Sequence, residues 1–319
     1  MAQPDAPDSI GAIGEGATLA RIFPRLPEAD AQLLGPGDDS AVVAAPDGRF
    51  VVTTDMMIHG PDFRLAWSTA HDLGFKAAAS NLADVAAMGA RPTALVVALA
   101  VPASTEVGFL EGIADGFRDA CAALAPGCGV VGGDLSVSDT LTIAVTAFGD
   151  LEGRAPVLRS GARVGDVVAV SGPLGHAAAG LRLLFEHGVV DAAELRSREP
   201  LIDAQLAPRP PIADGVVAAQ AGATAMLDLS DGLALDARRI AVASGVALDL
   251  SSTAVGSREA LDGGEDHSLL ATFPAEVVLP GGFRAIGSVV AGVGLLVDGV
   301  AYEARGGWDP YAGWDGAAG

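Results

Sequence analysis

Lysine is almost missing from this sequence: of 19 lysines and arginines in 319 residues, only Lys76 is a lysine. It lies in GFKAAAS, so the chain has no Gly-Lys-Ser/Thr loop, and P-loop nucleotide chemistry is excluded. Protein-kinase motifs are missing as well. Positive charge is scarce altogether: 19 basic against 40 acidic residues leave a formal net charge of −21. Such a surface repels nucleic acid and anionic membranes, so neither is expected as a partner. Cys121 and Cys128 are the only cysteines, too few for a secreted disulfide framework or a zinc site, and they read as two reduced thiols. Aromatic residues make up 5%, and alanine and valine carry most of the mean hydropathy of +0.41. No stretch reaches the ~20 apolar residues of a membrane-spanning helix. The longest candidate, 167–181, is broken by Gly172, Pro173, Gly175 and His176. The start, MAQPDAPDSIGAIGEG, is acidic and does not read as a signal peptide. A cytoplasmic protein is expected.

What the sequence does have is a repeated arrangement of apolar run, small residues and carboxylate. Apolar runs alternate with helical stretches, which points to α/β or α+β architecture. Residues 50–54, 94–101, 129–132 and 141–148 read as strands in the first half; 167–170, 225–229, 246–250 and 294–297 do so in the second. Helices are expected over 70–88, where Thr69 and Asp72 form a capping pair and Gly89 and Pro92 stop it, and over 106–125 and 231–244. The segment 150–166, rich in Gly, Arg and Pro, places a domain boundary, giving domains 1–152 and 153–319.

The carboxylates recur in GPGDDS (Asp38, Asp39), TTD (Asp55), NLADVAAMGA (Asp84), VGGDLS (Asp134), DLSDG (Asp228, Asp231) and GGED. Any one of them reads as a turn or N-cap residue. Several at strand ends, where open sheets gather ligands, are harder to explain that way. Converging carboxylates repel one another unless a cation lies between them. Oxygen donors without Cys or His select a hard ion, Mg²⁺ first, and Mg²⁺ completes its shell with water and phosphate oxygens. That points to nucleotide chemistry, with Arg159 in RSGAR the best-placed arginine for a phosphate chain. SGPLGHAAAG follows a strand and opens a helix, and reads as a tight strand–helix turn. None of the five histidines stands in a triad or metal spacing, and each reads as structural. Their absence suits phosphoryl transfer to an acceptor that is already an anionic phosphate, which needs charge screening rather than a general base.

GPGDDSAVV, VVTTDMM, NLADVAAMGARP, VVGGDLS, VLRSGAR, LDLSDGLALD and GGEDHSLL, in this order, resemble the thiamine-monophosphate kinase family of the aminoimidazole-ribotide-synthetase-like superfamily. The resemblance runs from about residue 10 onward. It implies a two-domain α/β (α+β) PurM-like fold, with N-terminal Mg/ATP-binding domains pairing their sheets in a homodimer and a C-terminal α/β domain closing the active-site cleft. The implied reaction is direct, in-line transfer of the ATP γ-phosphate to thiamine monophosphate, giving thiamine diphosphate. Carried over by motif, Asp39, Thr53, Thr54, Asp55, Asp84, Asp134, Asp228 and Asp231 would hold several Mg²⁺ ions, with Asp38 in support. Asp55, Asp134, Asp228 and Arg159 would carry catalysis. Gly133, Asp134, Arg159 and Ser230 would contact ATP as co-substrate. Glu265 would meet the thiamine moiety, and Trp308 or Tyr311 of the tail would either cover its rings or clasp the C-terminus. In HGPDF, Asp62 stands where many members have histidine, with His59 three residues earlier, so Asp62 becomes the substrate-side candidate. The competing readings are an amide-activating purine-pathway relative and a Mg-nucleotide-binding sensor without catalysis.

Overall fold

The structure, a computed structural model, describes residues 8–36, 41–187, 196 and 199–307. Asp38, Asp39, Trp308 and Tyr311 lie outside the described residues. The chain falls into two compact units. One runs to Asn81 and resumes over Pro92–Asp150; the other holds Leu82–Arg91 and continues from Leu151.

The first unit opens with helices α1 (Ile10–Ile13) and α2 (Glu15–Ile22) and a short antiparallel pair, β1 (Gln32–Leu34) with β2 (Val42–Val43). There follow β3 (Val51–Ile58), α3 (Ala70–Ala87), β4 (Arg91–Val101), α4 (Val107–Leu124), β5 (Gly129–Val137) and β6 (Thr142–Asp150). The last four strands form one sheet in the order β3-β6-β4-β5. β3 runs antiparallel to β6, from Val51 opposite Gly149 to Ile58 opposite Thr142. β4 and β5 are parallel, which requires a crossover, and α4 supplies it. α3 begins as its sequence predicts: the Thr69 N–H donates to Asp72 at 2.8 Å, and the Asp72 N–H donates back to the Thr69 hydroxyl at 3.2 Å. Leu73, Phe75, Ala78, Leu82 and Val85 of this helix are all buried, and so are the polar Asp72, Lys76, Ser80 and Asn81, so the helix is covered nearly all round and belongs in the interior.

β3 and β5 correct the strand assignments made from sequence. They extend to Ile58 and Val137, so Asp55 and Asp134 lie inside strands rather than at their ends. Both strands are at the edge of the sheet, where a carboxylate keeps its water and does not interrupt pairing.

The second unit contains β7 (Val167–Ser171), α5 (His176–His187), α6 (Leu201–Leu206), α7 (Ile212–Gln220), β8 (Ala225–Leu229), α8 (Leu233–Ser244), β9 (Ala247–Leu250), α9 (Ser252–Val255), α10 (Arg258–Asp262), β10 (Ser268–Phe273), β11 (Arg284–Val290), β12 (Gly294–Val297) and β13 (Val300–Ala301). Its sheet has the order β13-β12-β9-β11-β7-β10-β8, with β12 and β9 parallel and the other pairs antiparallel. α8 packs Leu233, Ala237 and Ile240 onto Leu227, Leu248, Leu270 and Ile286. β10 was not anticipated. Every residue of SLLATF is buried between β7 and β8, so the run shows none of the alternation that marks a half-exposed strand.

Candidate functional site

In the first unit the TTD stretch is divided between the two faces of β3. Alternation puts Thr53 with Asp55, while Thr54 points the other way. The Thr54 hydroxyl donates to the Val145 carbonyl at 2.9 Å and accepts from Thr146 at 3.2 Å. Because β3 is an edge strand, the Asp55 N–H faces away from β6, and Asn81 of α3 takes it through Oδ1 at 3.1 Å. The Asn81 amide is itself fixed by the Ala77 carbonyl at 2.9 Å. Asp84 follows three residues later on the same helix, half-buried, in the 82–91 stretch assigned to the second unit. The Asp55 side chain is exposed at the strand surface.

Asp134 is exposed on β5, its Oδ2 accepting the Ser136 hydroxyl at 2.7 Å. Asp55 and Asp134 occupy the two outermost strands, roughly 14 Å apart at three inter-strand spacings, so the sheet does not bring them together. Gly133 is required to be glycine by close approach, since a methyl group there would run into the Val97 carbonyl. Gly133 and Asp134 line a cavity of about 950 Å³ whose wall is largely apolar, including Phe23, Leu99, Leu110, Phe117 and Val131. At the end of β3 the Asp62 carboxylate accepts the Ile58 N–H at 2.7 Å and closes the turn. The neighbouring His59 ring lies 5.6 Å from Phe63, and its buried Nε2 has no hydrogen-bond partner among the described residues.

The second unit assembles more. Asp228, in β8, is 6% exposed, and its Oδ2 lies 3.2 Å from Nδ1 of His267, itself 4% exposed. The segment Gly263–His267 lies along the DLSDG turn: the Glu265 N–H donates to the Ser230 carbonyl at 2.8 Å, and the His267 N–H to Leu229 at 3.0 Å. Gly264 makes this possible, because a Cβ there would stand 2.5 Å from the Ser230 oxygen. Glu265 and His267 hold left-handed φ values of 71° and 50°, strain of order 1 kcal/mol each that neighbouring hydrogen bonds must offset.

Behind the turn, Asp236 of α8 is fully buried and accepts the N–H groups of Asp231 and Gly232, both at 3.1 Å. Arg239 donates one guanidinium nitrogen to Asp236 and the other to Asp231, the latter at 2.5 Å. Burial pushes the Asp236 carboxyl up to about 7; Arg239 opposes the shift, and the charges of Asp228 and Asp231 add to it. Asp266 accepts from Gly175 at 2.5 Å and Ala177 at 2.8 Å, so the N–H groups of the SGPLGH turn are taken by a side chain that caps α5. Burial raises the Asp266 pKa as well. Arg159 is exposed: its carbonyl accepts the Ser244 hydroxyl at 3.3 Å, while its guanidinium has no partner among the described residues.

Three of these residues escaped the reading of the sequence. His267 follows GGED but reaches Asp228 only through the pairing of β10 with β8. Asp236 and Arg239 did leave a signal, since a three-residue spacing puts them on one face of α8 next to the DLSDG turn. Near the C-terminus, Arg238 donates to the carbonyls of Tyr302 and Ala304 at 2.6 Å and lies 5.6 Å from the Tyr302 ring. The Tyr302 hydroxyl donates to Asp262 at 2.8 Å, and the Gly307 N–H to the Asp262 carbonyl at 3.0 Å, so the chain is clasped to α8 and α10 as far as Gly307.

Among the described residues no three His, Cys, Asp or Glu side chains stand together as a metal cage. The exposed donors are carboxylate oxygens supplied one or two at a time. That suits Mg²⁺, which keeps water and takes substrate phosphate oxygens, and suits a softer metal poorly. No described helix is long and apolar enough to cross a membrane.

Residues 37–151 match the family "AIR synthase related protein, N-terminal domain", and residues 163–279 match its C-terminal domain. The chain is 46% identical over 320 residues to the thiamine-monophosphate kinase of Mycobacterium tuberculosis, covering 95% of this chain and 91% of the relative. It is 42% identical over 272 residues to that of Corynebacterium glutamicum, covering 79% and 80%. Among solved structures, the thiamine-monophosphate kinase of Stenotrophomonas maltophilia superimposes with a TM-score of 0.75 at 32% identity, covering 90% of this chain and 96% of the other. AaThiL complexed with AMPPCP and TMP gives a TM-score of 0.72 at 34% identity, covering 84% and 90%.

Proposed function

The chain belongs to the thiamine-monophosphate kinase family, and on that premise we propose that it transfers the γ-phosphate of ATP to thiamine monophosphate, yielding thiamine diphosphate and ADP. The observation that carries the reading on this chain is the exposed Asp134 beside Gly133 at a largely apolar cavity of about 950 Å³. Such a wall suits the flat, weakly polar adenine, and a glycine lets the phosphate chain approach the backbone. Arg159, exposed and without a partner among the described residues, supplies the cation for phosphate oxygens, and Ser230 a hydroxyl.

Asp55, Asp84, Asp134, Asp228 and Asp231 would hold Mg²⁺, with Asp38, Asp39 and Thr53 as further donors; Thr54 is committed to β6, its hydroxyl by a hydrogen bond and its carbonyl by facing that strand, opposite the Asp55 N–H. When bound, the ions neutralise phosphate oxygens and remove the repulsion between two anionic reactants. Asn81 fixes the backbone at Asp55, and His267 fixes the carboxylate of Asp228. Glu265, held in its strained conformation against the DLSDG turn, would face the cationic thiazolium; Asp62 is less available, because its carboxylate closes a turn. His267 is committed to Asp228 and both cysteines are buried, so none of these three is set up as a phospho-acceptor. That supports direct, in-line transfer. Reduced cysteines support a cytoplasmic setting. The exposed side chains Val52, Met56 and Ile58 on one face of β3 support pairing of this sheet with a second copy.

The test is turnover of ATP and thiamine monophosphate with Mg²⁺. Equimolar ADP and thiamine diphosphate are expected, with inversion at a chiral γ-phosphorus. ATP hydrolysis without thiamine diphosphate would refute the reaction, and net retention would refute direct transfer.

A further inference from the structure

Asp231 does not stand free in the DLSDG turn. Its Oδ2 is bonded to Arg239 at 2.5 Å; the other guanidinium nitrogen of Arg239 is bonded to Asp236; and Asp236 accepts the backbone N–H of Asp231 itself at 3.1 Å. The circuit therefore closes on the residue where it began. A second N–H, from Gly232, also ends on Asp236 at 3.1 Å. Asp236 is fully buried in the first turn of α8, so it cannot swing away, and Arg239 is pinned one turn further along the same face. Oδ1 of Asp231 is left without a hydrogen bond among the described residues, and the side chain is 27% exposed.

We infer that Asp236 and Arg239 are positioning residues for cation binding: they lock the Asp231 carboxylate through Oδ2 and leave Oδ1 aimed for a divalent ion. This rests on the reading of Asp231 as a Mg²⁺ ligand. A carboxylate on a free rotor would have to be ordered when the ion binds; here that ordering is done on folding, by groups that never touch the ion. A planar guanidinium suits this bridge, because two nitrogens of fixed separation impose a geometry on the two carboxylates that a freely rotating ammonium does not. One arginine shared between the carboxylates of Asp231 and Asp236 orients Asp231 without cancelling its pull on a cation.

The experiment uses the full chain with Asp236→Asn, Arg239→Gln, Arg239→Lys and Asp231→Asn. Two readouts are taken: the Mg²⁺ concentration giving half-maximal rate at saturating ATP, and the rise in Tm produced by Mg²⁺ alone without either substrate. Arg239→Gln and Asp236→Asn should raise the half-maximal Mg²⁺ concentration about 10-fold and shrink the Mg²⁺-induced rise in Tm. Arg239→Lys should fall between them and wild type, and the KM for thiamine monophosphate should stay nearly constant in all three. If these variants lose Tm but keep both Mg²⁺ readouts at wild-type values, the brace is only structural and the inference is overturned. Should Asp236→Asn fail to fold, the partly exposed Arg239 still decides the matter. Asp231→Asn separates the two levels: unchanged Mg²⁺ readouts there overturn the metal-ligand reading of Asp231. A shift in Asp231→Asn without one in Arg239→Gln overturns the brace alone.

Discussion

The carboxylates of the two units are held in opposite ways. In the first unit Asp55 and Asp134 sit exposed on the outer strands of a four-stranded sheet, and the Asp134 carboxylate accepts a serine hydroxyl at 2.7 Å. In the second unit Asp228 is buried against His267, Asp231 is braced by Arg239, and Asp236 and Asp266 are given over to backbone N–H groups. An exposed carboxylate contributes little to the fold and is open to an ion. A buried one must be compensated from within, so removing it disturbs both the fold and the chemistry. Stability and activity should therefore separate cleanly in the first unit and travel together in the second.

The largest effect expected is on turnover in the first unit. Asp134→Asn should lower kcat by about 100-fold or more while Tm stays level or rises, since it removes a charge from an acidic surface. Kinetics and thermal melts of one preparation check this, and near-normal turnover at ordinary Mg²⁺ would break the comparison. Asp228→Asn should lose turnover similarly and also cost about 1–3 kcal/mol of stability, because His267 is left buried beside a weaker partner. A melt unchanged from wild type would show that burial there is not coupled to function.

Gly133→Ala comes next. The added methyl meets the Val97 carbonyl, which should cost about 1–3 kcal/mol and raise the KM for ATP more than that for thiamine monophosphate. Chemical denaturation gives the first quantity and steady-state kinetics the second. Truncation after Gly307 keeps the Arg238 clasp, so Tm should hold while the KM for thiamine monophosphate rises a few-fold if the tail aromatics stack on thiamine, of order 1–2 kcal/mol. Unchanged constants would assign the tail a different role.

The smallest effect is at Glu152, whose hydrogen bonds to Arg154 and Arg91 hold its pKa below the usual range. A depressed folded pKa means stability that is present above the unfolded value and lost as pH falls through the folded one. Glu152→Gln should therefore cost less than about 1 kcal/mol at neutral pH, with the gap to wild type closing in acid. Urea unfolding at two pH values measures it. A cost that grew on acidification would contradict the pairing.

The helices of the first half were legible for a local reason: α3 carries its own reciprocal cap at Thr69 and Asp72, and α4 its own apolar period. β10 was not, because a strand buried on both faces shows no period to read. The carboxylates were legible as a set, from their small-residue settings. Their placement within strands was not, since only pairing with β6 and β4 carries β3 and β5 past Asp55 and Asp134.

Sequence alone settled the chemistry on offer: oxygen donors, few cations, no phosphate-loop lysine and no histidine in a catalytic pattern. Those are properties of composition and short spacing, and they survive any fold. Tertiary structure decided which donors are open and which are committed. Thr54 and Thr53 are neighbours in the chain but face opposite sides of a strand. Asp231 and Asp236 lie five apart, yet one offers an oxygen to solvent while the other is sealed beneath it. His267 and Asp228 are 39 residues apart and meet only because β10 runs beside β8. A hydrogen bond needs an approach of about 3 Å, and between residues distant in sequence only the packed chain can set it.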